Sequence, residues 1–299
     1  GTLFATAGVG PVAIAASARG ASSGGDRPNA DWRSWSGSLR AAVRATERIS
    51  LALEAAVLDA ESGIPGPVGG ETPSARGASR EERVALPVSW RRPGGRESSF
   101  LAATTRSVLD YRNPDDPWLA ESDSVASSEQ ARWTETWRAG THDLAAFADW
   151  ESVEATSSTS AGLALDRDSS RSWGIGAQDS LGLPRDVRLT VGLRYDRHSA
   201  FDGTWSPRAT VSRLVSGGRL KIRASSGRAF RAPSIGELYY PWSGNPDLEP
   251  ERSTTHEIGL ERYVGRGRAE LSLFRSDFRD LIVYDFATQR NENVGLARA

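Results

Sequence analysis

The chain has 299 residues, with 37 basic and 38 acidic side chains for a formal net charge of −1, so there is no electrostatic case for a nucleic-acid partner. It contains no Cys, which excludes disulfides, thiolate metal sites and a cysteine nucleophile but does not fix the compartment. No run approaches the roughly 18 consecutive apolar residues of a membrane helix. That excludes a helical membrane protein but not a barrel, whose apolar band occupies every second residue of short strands. Lys221 is the single Lys among a population of Arg, which reads as genomic base bias. No Met occurs and no signal peptide can be read at Gly1, so the sequence is expected to be a fragment.

Taken in chain order, the segments alternate with the period of strands. In Ser34–Thr46, Trp35, Leu39, Ala41 and Val43 share one face, and Ser36, Ser38, Arg40 and Arg44 the other. Val187–Tyr195 sets Val187, Leu189, Val191, Leu193 and Tyr195 against Arg188, Thr190 and Arg194. Leu220, Ile222 and Ala224 oppose Arg219, Lys221 and Arg223, and Ala269, Leu271 and Leu273 oppose Glu270 and Ser272.

Short connections are predicted near Gly8–Pro11, Thr46–Arg48, Arg92–Arg96, Gly140–His142, Gly182–Asp186, Ser216–Gly218 and Gly265–Gly267, where Gly, Pro and polar residues suit hairpin turns. Between them lie connections predicted to be long: Ser17–Asp31, Asp59–Glu82, Asp110–Ser128, Glu151–Ser172, Asp196–Thr204, Ser226–Ser253 and Tyr284–Glu292. About 35–50 residues separate successive short turns. The pattern predicts an all-β, antiparallel transmembrane barrel with short turns at one end and long loops at the other. It predicts roughly fourteen strands, with a fifteenth beginning near Val294. A soluble propeller or large sandwich is the rival, but each period holds two strands rather than the four of a blade. Trp35, Trp90, Trp133, Trp150 and Trp173 are candidates for an interfacial girdle.

No catalytic constellation assembles. His142, His198 and His256 are far apart in sequence and lack metal-ligand spacing. The Gly-rich stretches are followed by no Gly-Lys-Ser or Gly-Lys-Thr of a phosphate loop. The pairs Asp115/Asp116 and Asp166/Asp168 fall in predicted outside loops and form no calcium-loop signature. The reading is therefore of a non-enzyme with no metal site and no cofactor. One connection differs from the rest: the stretch after Arg231 holds Pro233, Tyr239, Tyr240, Pro241 and Trp242 before the turn at Gly244–Pro246. Its prolines stiffen the chain and hold preceding residues extended, while Tyr239, Tyr240 and Trp242 are candidate ligand-platform aromatics.

Six segments occur in order: "GLRYDRHSAF" (Gly192–Phe201), "SPRATVS" (Ser206–Ser212), "GRAFRAPSIGELYY" (Gly227–Tyr240), "GNPDLEPERS" (Gly244–Ser253), "FRDLIVYD" (Phe278–Asp285) and "NVGLAR" (Asn293–Arg298). Together they resemble the barrel of TonB-dependent outer-membrane receptors, most of all the vitamin B12 (cobalamin) receptor branch. The resemblance covers Val187–Arg298, with "GIPGP" at Gly63–Pro67 a weaker echo. It implies that residues 1–299 are a partial receptor barrel without the plug domain, in the outer membrane of a Gram-negative bacterium. It further implies uptake of a metal chelate, either a cobalamin-type corrinoid or a ferric siderophore. The implied partners are that ligand, outer-membrane lipid, and the TonB complex through a plug and TonB box that are not found in this sequence. The matching motif residues are Arg231, Pro233, Glu237, Gly244, Asn245, Pro246, Leu248, Pro250, Glu251 and Asn293, and they are expected to anchor the loop to the barrel wall. Loop calcium is implied by the resemblance alone. The resemblance also implies further strands beyond Ala299, so the isolated chain is expected to expose two unpaired edges and to aggregate. A passive porin-like or structural barrel and a soluble secreted β protein are the alternatives.

Overall fold

The computed structural model describes residues 1–265 and 267–298; Arg266, within the predicted Gly265–Gly267 turn, and Ala299 lie outside them. The strands are β1 (Thr2–Val9), β2 (Val12–Ser23), β3 (Trp32–Arg44), β4 (Ile49–Gly63), β5 (Arg76–Arg92), β6 (Arg96–Arg112), β7 (Glu121–Ala139) and β8 (His142–Thr159). They continue with β9 (Ala164–Leu183), β10 (Val187–His198), β11 (Thr204–Val215), β12 (Leu220–Arg231), β13 (Glu251–Val264), β14 (Gly267–Asp285) and β15 (Arg290–Arg298). A five-residue helix, α1 (Ile235–Tyr239), lies between β12 and β13. Among the described residues the sheet has fifteen strands in chain order, the roughly fourteen expected and the fifteenth near the C-terminal end. The last strand starts at Arg290, four residues before Val294, because Arg290–Asn293 already pair with Ile282–Asp285. Among the described residues no helix is long and apolar enough to cross a membrane, which says nothing of strands.

The chain divides into two compact units. In the first (Gly1–Arg91, Ser99–Arg132 and Glu151–Ser170), the register aligns Val9, Val12 and Val43 in one row and Ala16, Leu39, Ala55 and Val84 in another. Leu39 and Leu53 are about half exposed on this face, whereas Arg40 and Glu54 form an ion pair on the opposite one. In the second unit (Arg92–Ser98, Trp133–Trp150 and Arg171–Ala299), Leu189, Val211, Ala224, Ile258 and Leu273 form one row. Its other face carries Arg223 bridging Glu257 and Glu270, and Arg194 between Asp149 and Asp196. Each unit thus has one apolar face that remains exposed and one polar face laced with ion pairs. Burying large side chains between layers, as a soluble sandwich does, is not how these strands use their apolar residues.

The short turns lie where Gly, Pro and polar residues placed them, but most of the long connections are shorter than predicted. Glu151–Ser172 is nearly all strand, leaving only 160–163 between β8 and β9, and Tyr284–Glu292 shrinks to 286–289. Asp166 and Asp168 therefore lie in β9, not in a loop. The reason is that Ser, Thr and Asp do not end a strand whose backbone is paired on both sides. Ser124 and Ser157, for example, meet hydroxyl to hydroxyl at 2.9 Å. The connections that stay long are 24–31, 64–75, 113–120 and 232–250. Asp115 and Asp116 do lie in such a loop, where Asp116 Oδ1 accepts the Trp118 and Leu119 N–H groups at 2.8 and 2.9 Å.

Candidate functional site

The 232–250 connection is built from its ends inward. Pro233 is buried, and Ser234 caps α1 with a reciprocal box. The Glu237 N–H donates to Ser234 Oγ at 3.2 Å, and the Ser234 N–H donates to Glu237 Oε2 at 2.7 Å. The helix buries Ile235 and Leu238 and ends at Tyr240, whose extended backbone leads into Pro241. A proline there cannot extend the hydrogen-bonded turn. The Gly244 N–H then donates to the Tyr240 carbonyl at 2.7 Å. A Cβ at Gly244 would lie 2.7 Å from the Tyr240 backbone N and O, so this position requires glycine. Leu248 and Pro250 are buried as the chain returns. Pro246 is exposed and acts by holding Asn245 extended.

Two sets of contacts tie this loop down. Arg231, at the end of β12, donates to both carboxylate oxygens of Glu237 (2.9 and 3.0 Å) and both of Glu251 (2.8 and 2.7 Å). Glu251 Oε1 also accepts the Ile282 N–H at 2.9 Å, so one guanidinium joins α1 to β12, β13 and β14. The second set is amide chemistry. Asn245 Nδ2 donates to the Asn291 carbonyl at 2.9 Å, and Asn291 Nδ2 reaches the Glu237 carbonyl at 3.3 Å. Asn293 accepts the Glu249 N–H at 2.8 Å and donates to the Glu249 and Asp280 carbonyls at 2.9 and 2.7 Å. Asn291 was not singled out from the sequence; only its place in the "NEN" triplet (Asn291–Asn293) marks it.

The three candidate aromatics sit at the far end of this braced segment. Trp242 is 81 % exposed and Tyr239 and Tyr240 are half-buried. Trp242 adopts φ +71°, which turns the chain sharply after Pro241. Phe286, in the neighbouring 286–289 turn, is likewise highly exposed and meets Tyr284 edge-on at 5.1 Å. Of the histidines, His142 opens β8 and contacts Asp179 at 2.7 Å, His198 ends β10 stacked on Phe201, and His256 lies within β13. No group of three or more His, Asp or Glu among the described residues could hold a metal ion.

The electrostatics of the loop predict a pH response. Burial pushes the Glu237 carboxyl up, but the Arg231 guanidinium and the Ser234 N–H and hydroxyl outweigh it and hold the group below its ordinary value of 4.5. A lowered carboxylate stabilises the closed loop above the unfolded value and loses that contribution as pH falls through the folded one. Trp242 fluorescence is therefore expected to be flat from neutral pH down to about 4.5 and to change below it. Glu237→Gln should diminish that acid transition, leaving the share of Glu251 on the same guanidinium, and a transition unchanged in the variant would assign it elsewhere.

Comparison with known proteins supplies the family. The TonB dependent receptor-like β-barrel family model matches residues 17–299. The chain belongs to this family. Its members are barrels of the Gram-negative outer membrane and act as transporters and receptors rather than enzymes. Vitamin B12 transporter BtuB of Vibrio vulnificus (strain YJ016) is 33% identical over 98 residues, covering 32% of this chain and 16% of that protein. Among solved structures, the siderophore receptor PirA from Acinetobacter baumannii superposes with a TM-score of 0.83 at 16% identity, over 99% of this chain and 55% of its own. Copper transporter OprC gives 0.83 at 18% identity, over 99% of this chain and 54% of its own. The chain thus spans about half the length of the solved receptors it matches. In this family the apolar strand face is the lipid-facing one and the polar face is the interior. Trp35, Trp90 and Trp173 belong to apolar faces and are each 41–48% exposed, as an interfacial girdle requires.

Proposed function

We propose that the receptor containing this chain captures a metal chelate outside the cell and passes it inward by TonB-coupled transport, the ligand being a cobalamin-type corrinoid or a ferric siderophore. The observation that carries this reading is the exposed Trp242, held beside Tyr240 on a loop whose own backbone is braced by Arg231, Asn245 and Asn293. A bulky ligand binds best to aromatic surface that does not have to be ordered first. The likeness to a vitamin B12 transporter favours the corrinoid; the siderophore receptor shares the fold only. Tyr239, Tyr240 and Trp242 are assigned to the ligand platform, and the ten motif residues to its support.

Binding to the natural full-length receptor tests this. Trp242→Ala is expected to weaken chelate binding by about tenfold while the heat resistance of the barrel stays unchanged, because the side chain packs against little of the protein. Titration of cobalamin and of ferric siderophores against both forms chooses the ligand. No binding by either class rejects the proposal, and uptake that survives dissipation of the proton-motive force would point to a passive barrel.

A further inference from the structure

Several ion pairs of the sheet join residues that stand straight across from each other. Arg33 faces Glu61, Arg40 faces Glu54 and Arg231 faces Glu251, and each pairs with the residue it faces. Three arginines on the inner, polar face of the second unit behave differently. Each faces a glycine and bonds an acceptor on the strand beyond it. Arg208 on β11 faces Gly192 on β10 and donates to Gln178 Oε1 on β9, in the same row. Arg223 on β12 faces Gly259 on β13 and reaches Ser272 Oγ at 2.9 Å and Glu270 at 3.0 Å on β14. Arg194 on β10 faces Gly176 on β9 and donates to both oxygens of Asp149 on β8, at 2.6 and 2.8 Å.

The strand after next lies about 9.5 Å away, so a side chain reaches it only by running along the sheet. Glycine leaves the room for that close approach. A Cβ at Gly259 would lie 2.9 Å from Arg223 Cγ and 3.1 Å from its Cζ, and one at Gly192 would lie 3.1 Å from Arg208 Nε. For Arg194 the room is at Gly174, on the same face as Gly176, where a Cβ would meet the Arg194 Cζ at 2.6 Å. Charge does not set the pose, because Arg208 adopts it with a neutral amide as its partner. The neighbouring inner positions are short. One row reads Ser180–Thr190–Thr210–Ser225, and the next carries Gly192, Arg208, Gly227, Thr255 and Ser276. This stretch of inner wall therefore has low relief only while its arginines lie flat. We propose that Gly174, Gly192 and Gly259 are positioning residues for transport, which lay Arg194, Arg208 and Arg223 along the wall and so keep this side of the interior clear for the ligand. The inference rests on the transport reading but not on which chelate is carried. With alanine at Gly259, β13 is paired on both sides and cannot yield, so the flexible Arg223 must swing off the sheet into the interior.

The test measures uptake of labelled cobalamin and of a labelled ferric siderophore by the natural full-length receptor. Gly259→Ala is expected to slow uptake about tenfold by narrowing the passage, with chelate binding unchanged as the sign that it is folded. Arg223→Ser should transport like wild type, and Gly259→Ala/Arg223→Ser should regain that rate, since no arginine is left to stand in the way. A clasp needed only for its bonds gives the opposite pattern, with Arg223→Ser slow and the double variant no faster than Gly259→Ala. That pattern overturns the proposal, as does a wild-type rate in Gly259→Ala. Should Gly259→Ala not insert, Thr210→Arg decides the matter. The new side chain would face Thr190 and Ser225, with no glycine to cross, and a wild-type rate there overturns the proposal too. Modification of Arg223 by phenylglyoxal needs no transport. Gly259→Ala should speed it about tenfold through the lost hydrogen bonds, and an unchanged rate in the folded variant refutes the role given to Gly259. If the wild-type receptor takes up neither ligand, the transport reading fails, while the phenylglyoxal rate still decides whether the glycine holds its arginine flat.

Discussion

Replacing Leu238 by alanine is expected to release the 232–250 loop while leaving the strands folded. Leu238 is 1% exposed, and together with Ile235, Leu248 and Pro250 it forms the small apolar core under the loop. Truncating a fully buried leucine costs about 2–4 kcal/mol through lost burial and an unfilled cavity. That exceeds what a single hydrogen bond in the bracing network returns, about 1 kcal/mol. The strands do not share the loss, because their stability comes from backbone ladder pairing along their length. Hydrogen exchange at the Tyr240, Gly244 and Asn245 amides should accelerate, and protease should cut between Pro241 and Pro250. Leu238→Met keeps the volume and should cost less than about 1.5 kcal/mol. Unchanged protection in the alanine variant would show that the polar clasp alone holds the loop. Chelate binding should fall with loop protection, since the platform loses its support.

The second large effect is expected at Glu135 on β7. This carboxylate is 1% exposed and accepts from Arg92, Arg96 and the Ser98 hydroxyl, while Arg96 also lies over the Trp137 ring at 5.8 Å. Glu135→Ala would leave two guanidinium groups beside one another without their shared counter-charge. Breaking a fully buried ion pair costs about 3–5 kcal/mol. Here Arg96 is half exposed, so water screens part of the loss and the cost falls below that range. The barrel should still lose heat resistance measurably. Glu135→Gln keeps the shape but not the charge and should fall between the two. If Glu135→Ala unfolds at the wild-type temperature, the cluster contributes nothing net, as happens when desolvation cancels attraction.

Several features were legible because they are local or periodic. The alternation at Ser34–Thr46 and Val187–Tyr195 set which side chains share a face, and the register keeps those faces. Turn positions followed from Gly and Pro, whose backbone limits act wherever they stand. The helix α1 was missed although its Ser-Ile-Gly-Glu start is a capping box. Five residues between prolines give no helical period to read, and it is the burial of Ile235 and Leu238 that holds them helical. Loop lengths were overestimated at Glu151–Ser172 because polar composition was taken as an end to pairing. In a continuous ladder the neighbours decide that, not the residue's own preference.

The sequence by itself determined the two-faced strands, their antiparallel succession and, through six ordered motifs, the receptor family. Those depend on spacing along the chain. Only the tertiary structure decided that Arg231 reaches Glu237 and Glu251 together, that Asn291 and Asn293 close over residues more than forty positions earlier, and that Arg208 and Arg223 lie across glycines to reach the strand beyond. These groups meet because strand register brings distant residues level, and no local pattern encodes which side chain will stand opposite which.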